Sequence, residues 1–306
     1  MKKTSRRSSN SLKLLASRRA KLSTLLDLAK IRIAIPVALS CLTGYLLFQP
    51  HFSQELILVV VGILLIVGGA SALNHIQEHK RDALMHRTRY RPIPSGKISS
   101  KEAAVWSILF LLSGGILLAW GGTPESILLA LFSIAWYNLV YTPLKQITAF
   151  AVVPGALSGA FPPLIGWLGA GGEWFHPTIL AVALFFFIGQ IPHFWLLLMI
   201  HNEDYKRAGF KVLTDIFTPM QLNRITLVWT LATIVVALLL PSFIIISSPW
   251  LMGALAISSL WIFTMSFFLL IIKQDQNKLK GIFLRLNLFF LLVMILINLN
   301  SYYSSL

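Results

Sequence analysis

Long apolar stretches constrain the fold of this chain more than any other feature of its sequence. A helix that spans a bilayer needs about 20 mostly apolar residues. The chain offers about nine such stretches, at 31–49, 56–76, 103–121, 126–144, 147–168, 177–199, 222–244, 249–272 and 282–300. Apolar and polar residues do not alternate with a period of two, which argues against a transmembrane β-barrel. The sequence therefore predicts an all-α polytopic membrane protein with about nine transmembrane helices in one bundle.

The composition excludes the other broad classes of protein. Of the 306 residues, 56% are hydrophobic and only 12% are charged, whereas soluble domains carry about 25% charged residues. This balance excludes an ordinary soluble fold and a disordered chain. The single cysteine, Cys41, excludes a disulfide framework, a cysteine-based zinc site and a CxxC redox pair.

The positive charges are segregated along the chain in a way that predicts topology. All 26 Lys and Arg residues fall in the segment before residue 33 or on alternate loops, while the other loops carry only Glu55, Glu125 and Glu173. Because positively charged loops stay in the cytoplasm, we expect a cytoplasmic N-terminus and an external C-terminus. The net charge of +15 then reflects insertion into a lipid bilayer, and no nucleic-acid partner is predicted.

Two domains are expected from this pattern. Residues 1–30 are rich in Ser, Lys and Arg, and we interpret them as a flexible cytoplasmic tail that is able to contact anionic lipid. Residues 31–303 form the transmembrane domain. The basic region is too long for a signal peptide, and no small-residue cleavage site follows the first apolar stretch.

A first polar cluster begins at the end of the second apolar stretch. Asn74, Glu78 and Asp82 are spaced four apart, so on a helix they lie along one face. Two carboxylates and an amide suit Mg²⁺, which prefers oxygen ligands and is commonly shared with substrate phosphates. Arg87 and Arg91 follow, and arginine matches phosphate oxygens well. The pattern indicates a diphosphate site, and the alternative is a solvated helix end with ordinary cytoplasmic charges.

The same residues resemble a known family. Asn74-xxx-Glu78-xxx-Asp82 resembles the first acidic motif, Asn-xxx-Asp-xxx-Asp, of the intramembrane UbiA-type prenyltransferase superfamily. The extension through Met85, Arg87-Thr88 and Arg91-Pro92 is similar to one branch, the heme O synthases. Glu78 stands where many members carry Asp, and both residues supply a carboxylate.

Three further segments carry the resemblance. Tyr141-Thr-Pro-Leu-Lys145 is similar to a loop of the family, although Gln146 stands where an Arg is usual. Gln190-Ile-Pro-His193-Phe-Trp195 resembles the family's Gln-x-Pro-His-Phe-Trp. The segment around Asp204-Tyr205 resembles the branch's version of the second acidic site, where the wider superfamily has a second Asp-xxx-Asp.

The resemblance implies a reaction and a set of roles. It implies transfer of a farnesyl group from farnesyl diphosphate to a vinyl group of heme B with addition of water, with Mg²⁺ as cofactor. It places the protein in the cytoplasmic (inner) membrane with the active site on the cytoplasmic side, and it suggests heme A synthase or a terminal oxidase assembly protein as partner. The implied catalytic residues are Asn74, Glu78, Asp82, Arg87, Arg91, Lys145 and Asp204, of which Glu78, Asp82 and Asp204 would hold the metal. The implied substrate-binding residues are Met85, Thr88, Tyr141, Gln190, His193, Trp195, Tyr205 and Lys211.

Other functions stay open from the residues alone, because the acidic spacing implies a diphosphate and not heme. A sibling prenyltransferase with a quinone precursor or another aromatic acceptor is the first alternative. A heme or small-molecule transporter is the second, since polar residues are also expected inside such bundles. An inactive scaffold is the third, and it would tolerate loss of Glu78 or Asp82.

Overall fold

A computed structural model of the chain describes residues 20–246, 248–271 and 276–303, and every regular element in these ranges is helical. The elements in chain order are α1 (20–28), α2 (Ile31–Phe48), α3 (Gln54–Asp82), α4 (Ser100–Gly121), α5 (Pro124–Ala135), a π-helical turn (Trp136–Tyr141), α6 (Thr142–Ile147), a 3-10 turn (Ala149–Ala151), α7 (Val152–Gly169), α8 (Pro177–Ile200), α9 (Asn202–Arg207), a 3-10 turn (Leu213–Asp215), α10 (Pro219–Leu239), a 3-10 turn (Leu240–Ser242), α11 (Pro249–Ile271) and α12 (Gln276–Tyr303).

The described chain contains nine helices that are long and apolar enough to cross a membrane, and α5 and α6 together form the fourth of them. This confirms the predicted fold class. Large apolar side chains such as Leu112, Leu128 and Ile257 are more than half exposed on the outside of the bundle. Apolar groups at a helix surface are expected where lipid rather than water surrounds the protein.

The helices close into one bundle because the last span returns to the first. Helix α12 packs against both α2 and α8, and α2 packs along α7. Two glycines allow the close approach of α2 and α7: a Cβ atom on Gly44 would overlap the carbonyl oxygen of Pro163, and one on Gly166 would overlap that of Cys41. Small residues commonly allow such contacts between helices in membranes.

Helix α3 is longer than a bilayer requires, and this positions the first polar cluster. Its 29 residues extend about 43 Å at about 1.5 Å per residue, whereas the hydrocarbon core is about 30 Å thick. The side chain of Ser53 caps its start by accepting a hydrogen bond from the N–H of Leu56. Its last turns, which carry Glu78 and Asp82, therefore lie at the mouth of the bundle.

The fourth span is interrupted by a π-helical turn that faces α3. Pro143 lacks an N–H group, so it cannot satisfy a carbonyl oxygen of the preceding turn. The side chain of Gln77 donates instead to the carbonyl oxygen of Asn138, at 3.0 Å. The Thr142 hydroxyl donates to the carbonyl oxygen of Tyr137 at 2.9 Å. The irregular turn, a feature often found at functional sites, thereby directs Thr142 toward α3.

The predicted tail, 1–30, divides near residue 20. Residues 1–19 lie outside the described part of the chain, so their expected flexibility stays a prediction. Residues 20–28 are helical, and Leu28 is fully buried in a small apolar cluster with Ala72, Ile98 and Ala103. The folded part of the chain therefore begins before residue 31, since α1 already packs on α3 and α4.

Candidate active site

The three side chains of the first polar cluster lie on one face of α3, as the spacing predicts, and all three are buried. The Asn74 amide donates to Glu78 Oε2 at 3.0 Å and to the Thr142 hydroxyl at 3.1 Å. Lys145, on α6, donates to the same Glu78 oxygen at 2.8 Å. The fourth span thus supplies both a hydroxyl and a cation to the α3 cluster.

Asp82 ends α3 and is the most deeply buried carboxylate of the cluster, with no exposed surface. Nη1 of Arg91 lies 2.8 Å from both of its carboxylate oxygens. The Thr88 hydroxyl donates to the Asp82 backbone carbonyl at 3.0 Å. Residues 83–91 therefore fold back on the end of the helix, and this turn returns Arg91 to the site.

Lys30 and Thr142 are residues of this site that sequence reasoning missed, and Lys30 is the charged one. Its ammonium donates to Asn74 Oδ1 at 2.7 Å. In the sequence, Lys30 falls in the predicted basic tail, 1–30, and outside the predicted site. Burial, together with the like charges of Arg91 and Lys145, lowers the pKa of Lys30 well below its ordinary value. The only signal in the sequence was its position immediately before the first span.

The charges of the cluster favour an anion. Lys30, Arg91 and Lys145 each contact one of the three α3 side chains, so three basic side chains face two carboxylates. Charge-assisted hydrogen bonds of this kind are the strong ones, and each cation can transfer its hydrogen bonds to an entering anion. Oxygen Oε1 of Glu78 is buried without a hydrogen-bond partner among the described residues.

The second acidic segment lies beside the first, in the segment that follows α8. Asp204, on α9, accepts hydrogen bonds from the backbone N–H groups of His86 and Arg87, at 3.0 and 3.1 Å. Partial burial acts to raise the pKa of the Asp204 carboxyl, but the two N–H groups and nearby positive charge lower it below its ordinary value. We call this contact the loop clasp. It joins the segment after α3 to the segment after α8.

Apolar packing reinforces the loop clasp. Met85 is buried with Ala208 and Phe210, and Tyr205 packs against them. The Arg81 guanidinium lies over the ring of Phe210, at 4.8 Å from its centroid. Two predicted substrate-binding residues, Met85 and Tyr205, therefore hold the two loops together, and Lys211 is exposed beyond them.

The polar residues of α8 lie deeper in the bundle and diverge from one another. The ring of His193 packs against Phe283 of α12, with 4.7 Å between ring centroids. Trp195 instead meets Trp229 of α10 edge to face. The side chain of Gln190 fills the space beside Gly159 on α7. These three predicted substrate-binding residues do not converge on one point.

Tyr141 connects this interior to the charged cluster. Its ring lies 6.0 Å from the ring of Phe194, between centroids. The Lys145 ammonium lies 5.3 Å from the centroid of Tyr141. Two aromatic rings, those of Tyr141 and Phe194, thus connect the charged cluster to the C-terminal part of α8.

The structure brings together five of the seven predicted catalytic residues, namely Asn74, Glu78, Asp82, Arg91 and Lys145. Among the described residues no group of three or more His, Cys, Asp and Glu side chains is placed to hold a metal, and the metal set Glu78, Asp82 and Asp204 stays a prediction. In the structure Lys145 and Arg91 contact oxygens of Glu78 and Asp82, and backbone N–H groups donate to both oxygens of Asp204. Arg87 contributes its backbone to the loop clasp, and its side chain is exposed.

The bundle and its site define a polytopic α-helical membrane protein with an acidic cluster and matched cations at one mouth. The sequence profile of the UbiA prenyltransferase family matches residues 37–294. The chain belongs to this family of prenyltransferases.

Relatives with assigned names support this membership. A protein from Oleidesulfovibrio alaskensis named protoheme IX farnesyltransferase is 37% identical over 217 residues, which cover 71% of this chain and 77% of the relative. A protein of the same name from Geobacter sulfurreducens is 37% identical over 229 residues, covering 74% and 84% of the two chains.

Solved structures share the fold at much lower identity. A digeranylgeranylglyceryl phosphate synthase has a TM-score of 0.73 at 17% identity, over 92% of this chain and 99% of that one. A UbiA homolog from Archaeoglobus fulgidus bound to DMAPP and Mg²⁺ has a TM-score of 0.65 at 16% identity, over 90% and 99%. At these identities the likeness establishes the fold alone.

Proposed function

We propose that this protein transfers the farnesyl group of farnesyl diphosphate to a vinyl group of heme B, with addition of water, to give heme O. The observation that carries the proposal is the matched set of three cations on the three α3 side chains. The identity of the prenyl chain and of the acceptor in this proposal is taken from the relatives, which are named protoheme IX farnesyltransferases.

The chemistry requires a diphosphate to leave from an allylic carbon. The C1–O bond of farnesyl diphosphate breaks, and the vinyl group forms a new carbon–carbon bond to C1. Water then captures the cation beside the porphyrin, and one proton is released. Arg91 and Lys145 would turn from Asp82 and Glu78 toward the diphosphate, where they stabilise the charge that develops on the leaving oxygen.

The α3 cluster also fits a magnesium ion. Glu78 Oε1 is a buried oxygen without a partner among the described residues. The oxygens of Asn74 and Asp82, which accept from Lys30 and Arg91 in this structure, would complete a set of the type Mg²⁺ prefers once those basic groups turn to the diphosphate. When bound, the metal would neutralise the diphosphate as a Lewis acid. A ligand role for Asp204 stays a prediction of the sequence.

The acceptor would occupy the interior beside α8. Aromatic residues from Tyr141 to Phe194 lead there from the charged cluster, and the farnesyl chain is itself apolar. His193, Gln190 and Trp195 would then contact the porphyrin or the chain, and the bundle would position both reactants. Docking of heme A synthase or an oxidase assembly protein stays an expectation from the resemblance.

Cysteine labelling tests the proposed cytoplasmic position of the active site. Cys41 is fully buried, so the parent chain should react little with a maleimide. In intact cells a membrane-impermeant maleimide should label His51→Cys and leave Ser95→Cys unlabelled until the membrane is permeabilised. Both positions are exposed. Labelling of the Ser95→Cys variant alone in intact cells would place the site on the outer face.

Product formation tests the reaction and its metal dependence together. We expect purified protein in nanodiscs, supplied with heme B, farnesyl diphosphate and Mg²⁺, to form a hydroxyethylfarnesyl heme that chromatography and mass spectrometry detect. Chelation with EDTA should abolish the product, because the charge on the leaving diphosphate is then unscreened, and added Mg²⁺ should restore it. Binding of farnesyl diphosphate without a heme product would favour a quinone precursor or another aromatic acceptor. No binding would contradict the prenyl transfer itself.

A further inference from the structure

We propose that Lys30 is a third diphosphate-binding cation, delivered to the site by the docking of α1 on α3 and α4. The inference rests on the proposed function only in requiring a diphosphate donor, and it does not depend on heme as acceptor. It assigns an active-site role to the segment that precedes the first span.

The contacts of Lys30 match those of the other two cations. Its ammonium lies 2.7 Å from Asn74 Oδ1, while Arg91 and Lys145 lie 2.8 Å from Asp82 and Glu78. Each α3 side chain therefore has one cation of its own. A metal or its bound water at Asn74 would compete for the single oxygen of that amide, and Lys30 would then be released to a neighbouring anion.

The backbone at Lys30 is shaped to bring its side chain into the site. With φ 48° and ψ 50°, it is the one non-glycine residue with positive φ in the described part of the chain. A left-handed conformation is unfavourable for an L-residue with a Cβ atom, and glycine would adopt it more easily. Such strain persists where surrounding contacts fix the conformation, and here the hydrogen bond to Asn74 is one of them.

Packing of the two residues before Lys30 holds this turn against α3. Leu28 is fully buried beside Ala72. One turn earlier on the same helix, a Cβ atom at Gly68 would lie 3.2 Å from the Cβ of Ala29, so the absence of a side chain there leaves room for the turn. Helix α1 is therefore seated by apolar contacts immediately before Lys30, and these contacts fix the point from which the Lys30 side chain enters the cluster.

The charge balance of the α3 cluster depends on Lys30. Without Lys30, Arg91 and Lys145 only balance Glu78 and Asp82. An entering anion favours the protonated form of Lys30, and the protonated ammonium gives the cluster an excess positive charge in a mostly buried site, where electrostatic interactions are stronger than in water. A diphosphate, which is multiply charged, is the part of a prenyl donor that such an excess recognises.

Arg32 provides the matched control. It is also basic, lies two residues further along the chain, and is exposed. If Lys30 acted only through the general positive charge near the membrane surface, then loss of Arg32 would have a similar effect. If it binds the diphosphate directly, then only the loss of Lys30 should matter.

The test measures ligand binding to full-length protein in nanodiscs, with saturating Mg²⁺ and no heme. The probe is farnesyl thiolodiphosphate, an unreactive analogue, and calorimetry gives its Kd. We expect Lys30→Met to raise the Kd by about tenfold or more, the size of one charge-assisted hydrogen bond. Lys30→Arg should recover part of the affinity, and Arg32→Met should match the parent.

Farnesol, which has the same chain and no diphosphate, distinguishes a binding contact from damage to the fold. Lys30→Met should bind farnesol as the parent does. An unchanged Kd for the thiolodiphosphate, or an equal loss of affinity for farnesol, overturns the assignment. These results are separable from the proposed function: a parent chain that binds the analogue but makes no heme product would refute the acceptor and leave the Lys30 assignment standing.

Discussion

Asp82→Asn is expected to lower turnover by about a thousandfold, at the upper end of the cost of removing one preorganised electrostatic group from an active site. Asp82 has no exposed surface, and both of its oxygens accept from Arg91. The amide would keep the volume of the side chain but remove its charge. Arg91 would lose its partner, and one of the two buried carboxylates that fit a metal would be gone.

The comparison variants separate chemistry from folding. Glu78→Gln should behave similarly, because Glu78 holds Lys145 in the same way. Asp215→Asn is the control, since it makes the same chemical change at a largely exposed ion pair with Lys206 and such pairs contribute little to stability. Turnover is measured as heme product, and gel filtration reports the folded bundle. Normal Mg²⁺-dependent turnover in correctly inserted Asp82→Asn protein would contradict the catalytic role assigned to the α3 face.

The fold was predictable because it depends on a property that the sequence displays directly. In a bilayer every spanning segment must satisfy its own backbone, so apolar stretches of sufficient length become helices wherever they occur. The α3 face was predictable for a similar reason, since a spacing of four places Asn74, Glu78 and Asp82 together on any helix. Both predictions rest on local periodicity.

The missed parts of the site depend on contacts between segments that are distant in sequence. Lys30 reaches Asn74 across 44 positions, and Thr142 does so across 68. Neither pairing has a local pattern, because the first needs a left-handed turn and the second needs a π-helical turn. The loop clasp was missed as well, since its donors are backbone N–H groups, which every non-proline residue carries.

Asp204→Asn is expected to lower turnover by about 10- to 100-fold, because it weakens the loop clasp. The carboxylate accepts from two successive N–H groups, and hydrogen bonds to a charged group contribute about 1.5–3 kcal/mol. The amide retains one acceptor and turns an NH₂ group toward the other N–H. The segment that carries Arg87 and Arg91 would then be held less firmly at the diphosphate site.

The magnesium dependence of this variant distinguishes the clasp from a metal-ligand role. If Asp204 acts through the loops, the Mg²⁺ concentration for half-maximal turnover should stay at the parent value while proteolysis between residues 83 and 98 becomes faster. If Asp204 holds the metal, that concentration should rise sharply, with proteolysis unchanged. Glu203→Gln is the control, because Glu203 is exposed and its side chain accepts a hydrogen bond of 3.1 Å from the amide of the neighbouring Asn202, outside the loop clasp. The sequence alone favours the ligand role, and the two N–H donors favour the clasp.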